Sequence, residues 1–107
     1  DNVKNVSPYF LECLEEFNEF EYIGETRGVG LMAALEIVKD KKNKLPFESN
    51  ISIGEKVANE SINNGLICRP LGASIVLCPQ FTIKKNEIDE IFDILRTTLK
   101  TCFKKIN

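Results

Sequence analysis

From residue 31 to residue 38 the chain alternates with a period of two. Leu31, Ala33, Leu35 and Ile37 fall on one face, and Met32, Ala34, Glu36 and Val38 on the other. From Ile88 onward a different period takes over, with Ile88, Ile91, Phe92, Leu95, Leu99, Cys102, Phe103 and Ile106 recurring at helical spacing. A strand patterned in the first way needs partner strands and a cover, and a helix striped in the second way needs a surface to lie on. Both requirements in one chain of 107 residues point to a layered arrangement around a single core. Glu36 alone is polar in the strand, so both of its faces are expected to be at least partly covered.

The remaining elements follow from local signals. Ser7-Pro8 reads as a helix start, with Phe10, Cys13, Leu14 and Phe17 as its apolar stripe. Residues 22–27 form a short exposed strand, and Gly28-Val29-Gly30 a turn or bulge. Residues 40–44 make a charged turn and Pro46-Phe47 opens a loop. Ser52 and Glu55 have capping-box spacing for a helix that turns Val57, Ala58, Ser61 and Ile62 inward and ends at Asn64-Gly65. Residues 66–69 and 75–78 read as strands joined by a hairpin at residues 70–73. Asn86, with Asp89 three residues on, caps the last helix. The order helix-strand-strand-helix-strand-strand-helix gives an α+β domain over residues 1–107. It has a small, largely antiparallel sheet of about four strands with helices on one face.

Several kinds of chemistry are set aside by what the chain lacks. It has no histidine, so neither a Ser-His-Asp nor a Cys-His nucleophile can be assembled from it. Cys13, Cys68, Cys78 and Cys102 form no C-x-x-C pair and sit among apolar residues, so they read as small buried hydrophobes in a reducing, cytoplasmic setting, with no metal site. A net charge of −2, with both signs interspersed, offers no basic field for nucleic acid. No apolar run reaches the roughly 20 residues that cross a bilayer.

One side chain is singled out by its surroundings. Arg69 stands in Leu66-Ile67-Cys68-Arg69-Pro70-Leu71-Gly72, where everything else is apolar or turn-forming. A guanidinium there either reaches water or a structural ion pair from a strand end, or waits for an anion that its planar fork would grip bidentately. Spacing alone leaves both readings open. Gly28-Val29-Gly30-Leu31-Met32-Ala33 matches G-x-G-x-x-A formally, but a strand follows it where phosphate binding needs a helix N-terminus. The lysines at 39, 41, 42 and 44 read as a solvated turn, and Glu15, Glu16, Glu19 and Glu21 as a solvated face.

Three segments taken in order are more specific than any one of them. Residues 24–41 (GETRGVGLMAALEIVKDK), residues 65–72 (GLICRPLG) and residues 74–79 (SIVLCP) with Phe81 resemble successive parts of the C-terminal small domain of class III pyridoxal-phosphate-dependent aminotransferases. The similarity runs from about Ser7 to the end and is nearest to the omega-amino-acid–pyruvate and adenosylmethionine-8-amino-7-oxononanoate members. It departs from the pattern at Pro79-Gln80, where two prolines are frequent, at Ala73, and at Lys84, where a capping Ser or Thr is common.

The resemblance implies a fold-type I small domain from a longer, homodimeric enzyme that exchanges an amino group between an amine and a keto acid. It implies pyridoxal phosphate held by an absent large domain, together with the Schiff-base lysine, so no catalytic or cofactor-binding residue is expected in this chain. It also implies that Arg69 matches the arginine that binds the substrate carboxylate and can swing away from substrates lacking one. The alternatives are a free-standing α+β ligand-binding or regulatory module, which would have an initiating methionine near Asp1, and a pure dimerisation domain.

Overall fold

A computed structural model describes residues 2–106; the place given above to the Ile106 side chain lies outside the described part. The chain forms α1 (Asn2–Glu15) and a 3-10 turn (Glu16–Glu19), then β1 (Ile23–Val29) and β2 (Met32–Ile37). A second 3-10 turn (Ser49–Ile51), α2 (Ile53–Asn63), β3 (Arg69–Leu71), β4 (Ser74–Leu77) and α3 (Lys85–Ile106) complete it. The four strands make one sheet in the order β1-β2-β4-β3, with every neighbouring pair antiparallel.

Strand register sorts the side chains by face, because residues directly opposite one another share a side. Leu35 lies opposite Ile75 and Ala33 opposite Leu77, and all four are buried with Ile37 in one cluster. Phe10, Leu14 and Phe17 of the first helical segment, Val57 of α2, and Leu95 and Leu99 of α3 complete that cluster, so the helices cover this one face. Phe92 of α3 sits 5.2 Å from Phe10 and 5.5 Å from Phe17, ring centre to ring centre, which ties the first and last helices together. The second face is partly covered, as expected: Met32 is exposed there, Ala34 and Glu36 are half-buried, and Val38, just past the strand, is buried.

Five local expectations are corrected. The first helix begins at Asn2, not Ser7, and Pro8 lies inside it. Val6 is buried and Val3 packs on the core, so the apolar stripe extends a further turn upstream, and that packing outweighs the hydrogen bond Pro8 cannot donate. The Asn2 amide holds the new start by donating to the carbonyls of Phe81 (2.7 Å) and Ile83 (2.8 Å).

Ser52 does precede α2 but has φ 52° and makes no side-chain capping bond, because the 3-10 turn before it forces a left-handed residue there. On the same helix Ile62 points outward. It lies about 40° past the Ala58 edge of the buried arc formed by Ile53, Val57, Ala58 and Ser61.

The last helix begins at Lys85, not after Asn86. The Glu87 carboxylate reaches back to accept from the Lys84 backbone N–H at 3.0 Å, which is half of a capping box without the hydroxyl. Finally, Cys78 is exposed rather than buried, because it lies just past the end of β4.

Candidate functional site at the edge strand

The path to Arg69 starts at the end of α2. Gly65 takes φ 92° and releases the chain from the helix, and the Leu66 backbone N–H donates to the Ser61 carbonyl at 2.8 Å. Leu66 and Cys68 then turn inward while Ile67 and Arg69 turn outward, by the two-residue alternation of an extended chain. The Cys68 thiol lies 3.2 Å from the buried Ser61 hydroxyl, which pins the segment against α2. Arg69 does not end its strand, as the sequence suggested, but begins it: β3 runs Arg69–Leu71, and Gly72-Ala73 alone form the turn. Pro70 is tolerated inside this strand because β3 is the edge of the sheet, where a missing N–H costs no ladder bond on the outer side.

Arg69 pairs with Val76, Val76 falls opposite none other than Ala34, and Ala34 lies opposite Arg27. One row of this second face therefore has an arginine at each edge and two half-buried apolar residues between. The two arginines differ in their electrostatics. Arg27 is engaged by Glu25 (2.5 Å) and Glu36 (3.8 Å). The third arginine, Arg96, contacts Glu16 at 3.4 Å and Asp93 at 3.6 Å and lies over the Phe17 ring. Arg69 is exposed and has no ion pair with any described residue. Its guanidinium offers up to five donors, positioned by backbone rather than by an acid of its own chain.

The other residues considered from the sequence are not brought to this site. Gly28, Gly30 and Ala33 lie across the turn between two strands, so the helix that a phosphate-binding fingerprint needs directly after its glycines is replaced by β2. Asp40 accepts from the Asn43 side chain (2.8 Å) and backbone N–H, which holds its carboxyl below the usual range and closes the lysine-rich turn. Lys41 in that turn donates to the carbonyls of Asn18 and Phe20. Among the acidic group after α1, Glu16 meets Arg96. Among the described residues no group of three or more carboxylate or thiol side chains converges to hold a metal ion.

Two arrangements had no sequence signal. Tyr9 donates to Asp89, 80 residues away, and that bond, with Cys13 beside it, pushes the phenol well above the ordinary tyrosine range. Gly54 at the start of α2 comes close to the turn at Gly72. Neither adds a nucleophile. Burial pushes the thiols of Cys68 and Cys102 upward, which leaves less thiolate to react.

A pyridoxal phosphate site needs a lysine amine in a sheltered cleft and a cradle of donors for the phosphate. Every described lysine is exposed at the surface, and the second residue of α2, Gly54, is already packed against the Gly72 carbonyl. The residues of this chain do not fit the cofactor, and no step through it is assigned to them.

The aminotransferase class-III family model matches residues 1–99. Adenosylmethionine-8-amino-7-oxononanoate aminotransferase of Methanocaldococcus jannaschii is 34% identical over 101 residues, covering 92% of this chain and 22% of that protein. A PLP-bound aminotransferase mutant from Vibrio fluvialis superimposes with a TM-score of 0.96 at 46% identity, covering 99% of this chain and 24% of the other. An omega-aminotransferase from Paracoccus denitrificans does so with a TM-score of 0.96 at 45% identity, covering 99% and 24%. The chain thus spans about a quarter or less of the proteins it matches. Its α+β fold is that of a fold-type I aminotransferase small domain, and the chain belongs to the class III aminotransferase family.

Proposed function

We propose that this chain is the C-terminal small domain of a longer pyridoxal-phosphate-dependent aminotransferase, and that Arg69 binds the carboxylate of its substrate. The observation that carries this reading is the free guanidinium on the edge strand, in a chain whose other arginines are both engaged by acids. In the whole protein a large domain holds the cofactor, which when bound supplies the electron sink for moving an amino group between an amine or omega-amino acid and a keto acid. This chain caps the cleft, orients the acid end of the substrate and helps to exclude water.

The exposed part of the second sheet face, at Met32 and Arg27, supports a missing cover. The accessible surface is 6718 Å², against about 6000 Å² for a self-standing protein of 12.1 kDa. Four free cysteines suit a reducing, cytoplasmic setting. A homodimer of the whole enzyme goes with the family resemblance and is checked by light scattering.

The anchoring role is tested in the intact enzyme with Arg69→Ala. A charge-assisted bond contributes about 1.5–3 kcal/mol, so the Michaelis constant for keto acids should rise roughly 10- to 150-fold. Constants for simple amines without a carboxylate should stay near wild type. Equal losses on both substrate types would remove the role.

A further inference from the structure

We propose that Gly54 is a positioning residue for Arg69, because its missing side chain lets the first turn of α2 seat the hairpin that carries the arginine; this rests on the carboxylate reading above. The first turn of α2 and the hairpin turn meet main chain to main chain. A Cβ placed on Gly54 would lie 2.4 Å from the Gly72 carbonyl oxygen and 3.3 Å from that of Ser74. Both obstacles are main-chain atoms, so no rotamer change can relieve the overlap. Either the helix or the turn must move by about 1 Å to restore ordinary contact at roughly 3.5 Å.

The turn has little freedom to move elsewhere without carrying β3 along. Gly72 has φ 60° and Ala73 does not share the positive sign, which is the pattern of a type II′ two-residue hairpin. The Ala73 carbonyl accepts from the Ile37 backbone N–H at 2.9 Å, fixing the turn to the end of β2. The turn is thus held between α2 on one side and β2 on the other. Arg69 stands three residues before Gly72, on a strand only three residues long at the sheet edge. Any displacement of the turn is transmitted to Arg69 through a strand with no outer neighbour to resist it. Displacements of 1 Å at a distance from the chemistry can cost up to about 100-fold in rate.

The experiment compares variants of the intact aminotransferase. Gly54→Ala should raise the Michaelis constant for keto acids about tenfold, leaving the Michaelis constant for a simple amine, measured at saturating keto acid, close to wild type. Val57→Ala, on the same helix and fully buried, is the control for mere loosening, since it removes atoms and pushes on nothing. It should lower the melting temperature and leave the keto-acid constant unchanged. If Gly54→Ala does not accumulate as folded enzyme, Gly72→Ala carries the same comparison, because an L side chain at that φ forces the turn to rearrange. An unchanged keto-acid constant in the folded variant, or an equal rise in Val57→Ala, overturns the inference. Arg69→Ala run in parallel separates the two ideas. A rise there without one in Gly54→Ala refutes positioning alone, and no rise in Arg69→Ala refutes the carboxylate reading and the inference with it.

Discussion

Replacing Phe92 by alanine in the 107-residue chain is expected to cost about 4 kcal/mol of folding stability. The side chain is 3% exposed on α3, and its ring contacts Phe10 of α1 and Phe17 of the following 3-10 turn, both fully buried. Phenylalanine-to-alanine changes in cores cost about 3–5 kcal/mol, the higher values arising where neighbours cannot close the gap. Here the neighbours are two rigid rings on different segments, so collapse is limited. With an m-value near 2 kcal/mol/M in urea, the unfolding midpoint should fall by about 2 M. Phe92→Leu keeps apolar volume but loses both ring pairs, each contributing about 0.5–1.5 kcal/mol, and should cost about 2 kcal/mol. Urea titration followed by circular dichroism at constant pH measures both. A loss under about 1 kcal/mol for Phe92→Ala, or equal losses for the two variants, would refute the view that this aromatic contact fastens the helices to one another.

The buried thiols give the chain a pH dependence on the alkaline side. Burial raises Cys68 and Cys102 above the ordinary 9.0, so the folded state favours the neutral thiol. Their stabilising contribution is full below that value and is lost as pH rises through the higher folded one. Urea midpoints should decline above pH 9.0, and the decline should flatten in a Cys68→Ala, Cys102→Ala double variant; an unaltered slope would contradict this. A thiol reagent should label exposed Cys78 first, and labelling of Cys68 ahead of it would show that the segment before Arg69 is not packed as described. In the lysine-rich turn, NMR titration should find Asp40 below the usual aspartate range, and Asn43→Ala should move it back up. No movement would mean that the Asn43 side-chain bond does not hold the carboxylate.

The elements that span several periods of their pattern could be read directly from the residues. β2 and α3 were plain because a buried face repeated often enough to exclude the other periodicity. Pro8 misled because proline marks a helix start only if nothing upstream can pack, and Val3 and Val6 do. Ser52 misled because its spacing to Glu55 says nothing about the 3-10 turn that sets its backbone. A hairpin is legible in this stretch, but its first strand lies at Arg69–Leu71 and not at residues 66–69, since Pro70 reads as a loop residue wherever the sheet edge cannot be foreseen. Arg69 could be picked out as a lone cation among apolar residues. Its freedom from ion pairs could not, because that depends on which acids the fold carries away from it. The approach of Gly54 to Gly72 depends on tertiary placement alone and leaves no mark in local sequence.

The central claim is that the edge-strand guanidinium is held open for an acid group supplied from outside the chain. The direct measurement is a crystal structure of the whole enzyme with an unreactive carboxylate ligand in its cleft. Two Arg69 nitrogens should lie about 2.7–2.9 Å from the two carboxylate oxygens. A ligand whose carboxylate is gripped elsewhere, with Arg69 turned to bulk water or paired with a protein acid, would contradict it.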